Sequence, residues 1–269
     1  MWPCSVRGRP YEPVTADGPY VVAPGETRMS VTSRYRNAWE SFWSEAPEGP
    51  GAVFWDAEPM LTAGRHLAHF EPHVVDPGLP MIDLGCGNGT QTRYLAERFG
   101  HVVGADLSAA ALGHARRADP ADRAAYRQLD AADKAEAETL HAELGDANVY
   151  VRGVLHQCEP DDRQPLADAL AAFLGARGRA FLVEPSQAAG TVLMGLFQGP
   201  DGPPAKLAPV LRHGLTPGVV PDDAVPEHLR AAGLTVLASG ELPLVTTEYT
   251  MDGTRIELPS AWVVAGRAK

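Results

Sequence analysis

Short apolar runs alternate with longer segments whose apolar residues recur at helical spacing through most of the chain. Five runs predict strands, at residues 81–84, 101–106, 125–130, 147–151 and 179–184. Helices are predicted between them, at residues 90–99, 133–144 and 166–174 and directly after Ser108. This alternation predicts an α/β fold with a doubly wound, mostly parallel sheet and helices on both faces. In such a sheet, ligands bind at the carboxyl ends of the strands.

The C-terminal part follows a different pattern. A last helix is predicted at residues 222–232, where Gly233 ends it. Strands are predicted at residues 234–237, 244–249 and 261–266. The last two lie on either side of a turn at Asp252 and Gly253, so we expect them to form an antiparallel pair.

Residues 1–29 contain five prolines without periodicity and are predicted to be a disordered N-terminal extension, with Met29 as an alternative start. Residues 30–269 are predicted to form a single domain. Its first segment, residues 33–75, carries an aromatic stripe that is predicted to pack on the domain. The Gly- and Pro-rich residues 186–221 are predicted to be a cap insertion, with a plain surface excursion as the alternative.

Composition and charge narrow the classes of function. The 269 residues are 45% hydrophobic with a formal net charge of −11, which disfavours a nucleic-acid partner and suits a small neutral or cationic substrate. No run of 18 apolar residues and no signal sequence is present, so we expect a cytoplasmic protein without a membrane span. Three cysteines at wide spacing do not predict a disulfide framework or a zinc site. His66, His69 and His73 do not predict a metal site, because Pro72 interrupts the helix.

Three glycines at alternate positions, Gly85, Gly87 and Gly89, separate the first predicted strand from the next helix. Glycines allow positive φ in such a turn and let a ligand approach the backbone closely. The helix that follows points its first N–H groups into the turn. The pattern predicts a cradle for an extended polar small molecule; the alternative is a tight turn that binds nothing.

The spacing of the glycines and two nearby acids bear on the identity of the ligand. A dinucleotide site requires Gly-x-Gly-x-x-Gly, in which the last glycine would replace Thr90. Asp83, just ahead of the glycines, suits a ligand with a cationic amino group. Asp106 lies 21 residues after Gly85 (106 − 85) at the end of the next strand, where an acid can accept hydrogen bonds from ribose hydroxyls. An adenosine-containing ligand is therefore favoured, although NAD shares the second feature.

Residues 83–89 fill every position of Asp/Glu-x-Gly-x-Gly-x-Gly and so resemble motif I of the class I S-adenosylmethionine-dependent methyltransferases. The resemblance implies a Rossmann-like sheet that ends in an antiparallel hairpin, with S-adenosylmethionine as cofactor. It also implies lid helices over the site at residues 33–75, which is compatible with packing of their aromatic stripe on the domain. It also implies that the turn and Asp83 hold the methionine part, Asp106 the ribose and Asp130 the adenine. The predicted cofactor-binding residues are Asp83, Gly85, Cys86, Gly87, Asn88, Asp106, Leu107, Asp130, Ala131 and Arg152.

Residues 147–157 resemble motif IV of small-molecule methyltransferases, which lies between the cofactor and the substrate. They lack the Asn/Asp-Pro-Pro-Tyr/Phe run of enzymes that methylate amino groups of adenine or glutamine. His156 is predicted to be the catalytic base for a hydroxyl acceptor, and the alternative is a histidine that packs or orients the substrate. The predicted substrate-binding residues are Tyr35, Trp39, Trp55 and Gln157.

The sequence therefore predicts methyl transfer to a small-molecule acceptor, with an oxygen of a secondary metabolite as the favoured target. A protein that binds S-adenosylmethionine on the same fold without methylating is the alternative. An NAD-dependent oxidoreductase is a third reading, which the glycine spacing and Asp130 disfavour. The sequence does not indicate an oligomeric state.

Overall fold

A seven-stranded sheet runs through the part of the chain that the computed structural model describes, residues 31–198, 202–215 and 220–268. The strands of the protein are β1 (Met81–Leu84), β2 (Val102–Asp106), β3 (Ala125–Gln128), β4 (Asn148–Arg152), β5 (Arg179–Pro185), β6 (Thr235–Glu241), β7 (Leu244–Tyr249), β8 (Arg255–Leu258) and β9 (Ser260–Gly266). The sheet has the order β3-β2-β1-β4-β5-β9-β6, and β7 and β8 form a separate hairpin. Strands β1 to β5 pair in parallel, and β9 is antiparallel to both its neighbours. The predicted doubly wound, mostly parallel fold with a C-terminal antiparallel hairpin is confirmed.

Helices cover both faces of the sheet. They are α1 (Val31–Glu45), α2 (Ala63–Phe70), α3 (Thr90–Leu95), α4 (Ala109–Ala118), α5 (Lys134–Leu144), α6 (Arg163–Leu174), α7 (Gln187–Phe197), α8 (Ala208–Arg212) and α9 (Ala224–Ala231). Successive strand residues point to opposite faces, so Met81 packs in one hydrophobic cluster and Ile82 in the other. Burial on both faces explains why the strand sequences are continuous apolar runs.

Two helix starts follow directly from their capping residues. The Ser108 side chain accepts a hydrogen bond from the N–H of Ala111 at the start of α4. The Asp133 side chain accepts from the N–H groups of Ala135 and Glu136 at the start of α5. Both residues satisfy N–H groups that have no partner within the helix, as predicted for Ser and Asp at these positions.

The predicted pairing of residues 244–249 with 261–266 is wrong. Strand β7 pairs with β8, a short strand that the sequence analysis missed, while β9 inserts between β5 and β6. The turn that Gly253 closes onto Thr250 folds the chain back at once, so the next segment becomes the partner of β7. Strand β9 is almost entirely buried and continues the central sheet instead.

The Gly- and Pro-rich segment at residues 186–221 is more regular than its composition predicts, because it contains α7 and α8. Residues 199–201 and 216–219 of that segment, and the predicted extension at residues 1–29, lie outside the described residues. No helix in the described ranges is long and apolar enough to cross a membrane.

Candidate active site

The glycine turn joins β1 to α3 in the conformation that its sequence predicts. Gly85, Gly87 and Gly89 have φ of +73°, +54° and +73°, values that favour glycine over any residue with a Cβ. A Cβ on Gly87 would lie 2.9 Å from the Trp43 ring, so helix α1 packs closely against the turn. The turn needs glycine both for its backbone conformation and for this close approach.

A cavity of about 1700 Å³, including space open to solvent, lies at the carboxyl ends of β1 to β5. Its lining combines charged side chains, backbone groups of the glycine turn and apolar side chains. Fourteen of the fifteen predicted site residues line it: Tyr35, Trp39, Trp55, Gly85, Cys86, Gly87, Asn88, Asp106, Leu107, Asp130, Ala131, Arg152, His156 and Gln157. Residues from distant parts of the sequence thus meet at the carboxyl ends of the strands.

Asp83 is the exception, because it lies beneath the glycine turn and does not line the cavity. Its side chain is 3% exposed and accepts a 2.5 Å hydrogen bond from the Thr92 hydroxyl. Burial raises the pKa of Asp83 to about 6, since a carboxylate removed from water is costly. The structure therefore separates Asp83 from the other predicted cofactor-binding residues.

Asp106 connects the glycine turn to the start of the next helix. One of its oxygens accepts from the N–H of Gly87 at 2.8 Å, and the other accepts from the N–H of Ser108 at 2.9 Å. Burial raises the pKa of Asp106, and these two N–H groups oppose the increase. Each carboxylate oxygen has a second lone pair, so Asp106 can also accept hydrogen bonds from a ligand hydroxyl.

Helix α1 is held over the cavity by bonds to the neighbouring strand and helix ends. Arg36 forms a 2.8 Å ion pair with Asp130, and Glu40 accepts from the Ser108 hydroxyl at 2.8 Å and from the N–H of Ala110 at 3.1 Å. Arg36, Glu40 and Trp43 were not predicted from the sequence. Arg36 and Glu40 show no pattern that separates them from ordinary surface residues, whereas Trp43 is 3% exposed and belongs to the aromatic stripe of the first segment.

His156 is fixed by a buried carboxylate on the adjacent strand. Its Nδ1 lies 2.8 Å from Glu184, which is 3% exposed and also accepts from the N–H groups of Val154, Leu155 and His156. An ionised carboxylate only accepts, so Nδ1 carries the proton and Nε2 is left as an acceptor. Glu184 was not predicted, although it ends the fifth strand just as Asp106 ends the second.

The acceptor nitrogen of His156 is already hydrogen-bonded. Nε2 lies 2.6 Å from the Gln157 amide nitrogen, and the Gln157 carbonyl oxygen accepts from the Tyr35 hydroxyl at 2.5 Å. Burial raises the pKa of the Tyr35 phenol, so this hydroxyl stays protonated and serves as a donor. A continuous chain of hydrogen bonds therefore runs from α1 through Gln157 and His156 to Glu184.

Beyond this chain, the wall of the cavity is largely apolar. The apolar side chains on this wall come from α1, α7, α8, the β7–β8 hairpin and the segments between them: Trp39, Phe54, Trp55, Leu193, Leu207, Val210, Leu244, Val245 and Leu258. One end of the cavity is thus lined by charged and backbone polar groups, while the other has aromatic and aliphatic walls.

The histidines weighed as metal ligands have other partners. His66 Nδ1 lies 2.7 Å from the Tyr150 hydroxyl and its ring stacks on Phe181, while His69 stacks on Trp262. Burial lowers the pKa of His66 to about 3, so this ring is neutral. Within the described ranges, no three His, Cys, Asp or Glu side chains are placed to hold a metal ion.

A doubly wound sheet with a glycine turn and acids at its strand ends defines an α/β enzyme with a site for an adenosine-type cofactor. The family model described as a methyltransferase domain matches residues 81–178. No curated protein matches the chain significantly.

Solved structures give a consistent result. A S-adenosylmethionine-dependent methyltransferase from Anabaena variabilis is 28% identical, with a TM-score of 0.80, over 92% of this chain and 99% of that one. A geranyl diphosphate methyltransferase in complex with its substrate and sinefungin has a TM-score of 0.56 at 15% identity, over 87% and 100%. A magnesium protoporphyrin IX methyltransferase from Synechocystis with bound S-adenosylhomocysteine has a TM-score of 0.52 at 18% identity, over 88% and 94%. The last two show likeness of fold alone.

The match of residues 81–178 to a methyltransferase domain and the likeness to the Anabaena variabilis enzyme over 92% of the chain support a class I methyltransferase that uses S-adenosylmethionine. This assignment replaces the alternative of an NAD-dependent oxidoreductase that the sequence left open. The residues present fit the cofactor, because the polar end of the cavity offers carboxylates for hydroxyl and amino groups and a guanidinium for a carboxylate.

Proposed function

We propose that this methyltransferase acts on an oxygen atom of a small, largely apolar molecule, such as a secondary metabolite. The observation that carries the proposal is the Glu184–His156 pair at the edge of the apolar part of the cavity. A hydroxyl that receives a methyl group must lose its proton, and a neutral histidine with an acceptor nitrogen can take it. A neutral amine, by contrast, attacks through its lone pair without first losing a proton.

The apolar walls support an acceptor that is itself apolar around its reactive hydroxyl. Trp39 and Trp55 lie edge to face, with ring centroids 5.5 Å apart, and together present aromatic surface to the cavity. Aromatic side chains contribute a large apolar contact area with few rotatable bonds. The net charge of −11 further disfavours a nucleic-acid acceptor.

The cofactor residues divide by the atoms they can offer. Asp106 and Leu107 would hold the ribose, and Asp130 and Ala131 the adenine, while the backbone of the glycine turn would hold the methionine part. When bound, S-adenosylmethionine supplies an activated methyl group, so the protein's contribution is to position the acceptor and exclude water. The tight packing of α1 on the turn supports a lid role for the N-terminal helices.

Gln157 supports a specific path for the proton. Its amide now donates to His156 Nε2, the position that an acceptor hydroxyl would have to occupy. We infer that the acceptor displaces the Gln157 amide and donates its own proton to His156, while Glu184 keeps the proton on Nδ1. Tyr35 would keep the displaced Gln157 within the wall of the cavity. Residues 186–221 would close that wall as a cap, since Leu193, Leu207 and Val210 line it.

The test is a metabolite extract incubated with the enzyme and S-adenosylmethionine labelled in its methyl group, followed by isolation of the labelled product. An O-methyl product is expected. His156→Asn should lower the rate by roughly 10²-fold or more while leaving S-adenosylhomocysteine binding intact. His101→Asn, at an exposed position away from the cavity, is the matched control and should not change the rate.

Three results would contradict parts of the proposal. An N-methyl or C-methyl product would exclude an oxygen acceptor. A normal rate for His156→Asn would exclude the base while leaving methyl transfer in place. Cofactor binding without a labelled product from any extract would favour the non-methylating role considered from the sequence.

A further inference from the structure

Two oppositely charged side chains, Asp56 and Arg152, face the cavity beside the glycine turn. Asp56 is 4% exposed, and one of its oxygens, Oδ2, accepts from the N–H of Gly51 and from the Asn88 amide, both at 2.8 Å. Arg152 ends β4 and donates through Nη1 to the carbonyl oxygen of Trp55 at 3.0 Å. The Asp56 carboxylate is therefore fixed by Gly51 and Asn88, and the Arg152 guanidinium by the neighbouring carbonyl group of Trp55.

Neither of these two charged groups has an oppositely charged side chain within ion-pair distance in the described residues. Within residues 31–198, 202–215 and 220–268, neither side chain forms an ion pair, and Oδ1 of Asp56 accepts no hydrogen bond. A carboxylate this deeply buried is costly unless a cation reaches it. A ligand that carries an ammonium and a carboxylate on one carbon would satisfy both groups at once.

We propose that Asp56 binds the α-ammonium and Arg152 the α-carboxylate of the methionine part of the cofactor. The inference rests on the assignment of S-adenosylmethionine as cofactor. It gives the ammonium to a residue outside the glycine motif, since Asp83 is sealed beneath the turn by Thr92 and does not reach the cavity. Arg152 supplies a planar pair of donors, which suits a carboxylate.

A purely structural role makes a different prediction. Asp56 also pins the loop at Gly51 to Asn88, and Arg152 also caps a carbonyl group. If that were their only role, changing either residue would disturb the site as a whole. All ligands of the cavity would then lose affinity by the same factor, whatever charges they carry.

Calorimetry with four ligands separates the two roles. The ligands are S-adenosylhomocysteine, its analogue without the amino group, its analogue without the carboxylate, and 5′-methylthioadenosine, which lacks both. Asp56→Asn should weaken S-adenosylhomocysteine and the decarboxylated analogue by about tenfold or more and leave the two ligands without an ammonium unchanged. Arg152→Gln should weaken only the two ligands that carry a carboxylate.

Asp83→Asn is the matched control, because Asp83 does not line the cavity, and it should change the affinity by the same factor for two ligands that differ only in the ammonium group. A loss selective for the ammonium in Asp83→Asn, or an equal loss for all ligands in Asp56→Asn, would overturn the proposal. If Asp56→Asn does not fold, the affinities of Arg152→Gln decide between the two roles: a loss confined to the ligands with a carboxylate supports the proposal, and an equal loss for all four ligands overturns it. Failure of the wild-type protein to bind S-adenosylhomocysteine would instead remove the cofactor assignment itself.

Discussion

Glu184→Gln tests the reaction chemistry most directly, because it changes one atom in the group that orients His156. Oε1 of Glu184 accepts from the N–H groups of Val154 and Leu155 at 2.8 and 2.9 Å, and Oε2 accepts from His156 N and Nδ1 at 3.2 and 2.8 Å. A glutamine keeps one oxygen. If that oxygen keeps its hydrogen bonds from the N–H groups of Val154 and Leu155, the NH₂ group of the glutamine faces the backbone N–H and the Nδ1–H of His156.

The expected loss of stability follows from the number of hydrogen bonds that Glu184→Gln removes. Moving the ring proton from Nδ1 to Nε2 turns Nδ1 into an acceptor, which leaves the backbone N–H of His156 as the donor that loses its partner. One lost hydrogen bond to a charged group corresponds to about 1.5–3 kcal/mol of unfolding free energy. The larger effect is chemical, because Nε2 then carries the proton and cannot accept another. We expect kcat to fall by roughly 10²-fold.

The assay combines urea unfolding, calorimetry with S-adenosylhomocysteine and steady-state methyl transfer to the identified acceptor. Glu257→Gln, an exposed carboxylate on β8, is the matched control and should leave all three unchanged. A Glu184→Gln enzyme with unimpaired kcat would refute the argument. A rate loss fully explained by weaker cofactor binding would also count against it, because the predicted effect lies in the chemical step.

Two further predictions concern the glycine turn. In the folded protein the pKa of Asp83 is about 6, against an ordinary value of 3.8. The protonated Asp83 therefore contributes its full stabilisation below pH 3.8, and this stabilisation is lost as the pH rises through about 6. Relative to Asp83→Asn, the wild type should lose up to about 3 kcal/mol between about pH 4 and pH 7 in urea unfolding; parallel pH curves would contradict this. Gly85→Ala should destabilise by more than Gly214→Ala, because both have φ near +70° but only Gly85 would place its Cβ 2.5 Å from Val154, while a Cβ on Gly214 meets nothing within 4 Å. Equal unfolding free energies would show that the contact with Val154 relaxes.

The acids at the strand ends illustrate what sequence reasoning can and cannot supply. Periodicity and glycine spacing placed Asp106 and Asp130 at one edge of a parallel sheet, and both line the cavity. The same reasoning placed Asp83 there, but a sequence does not say which face of a turn a side chain meets. Thr92 follows nine residues later (92 − 83) on α3, and the hydrogen bond between them decides that Asp83 points inward.

The sequence by itself determined the alternation of strands and helices from β1 to β5, the helix caps and the left-handed glycine turn, because these depend on local sterics and on spacing along the chain. Only the tertiary structure decided which distant groups meet. It brought Glu184 of β5 to His156, brought Asp56 and Arg152 to the same cavity, and paired β7 with β8 while β9 entered the main sheet. These contacts depend on how the layers pack, and no local pattern in the chain encodes them.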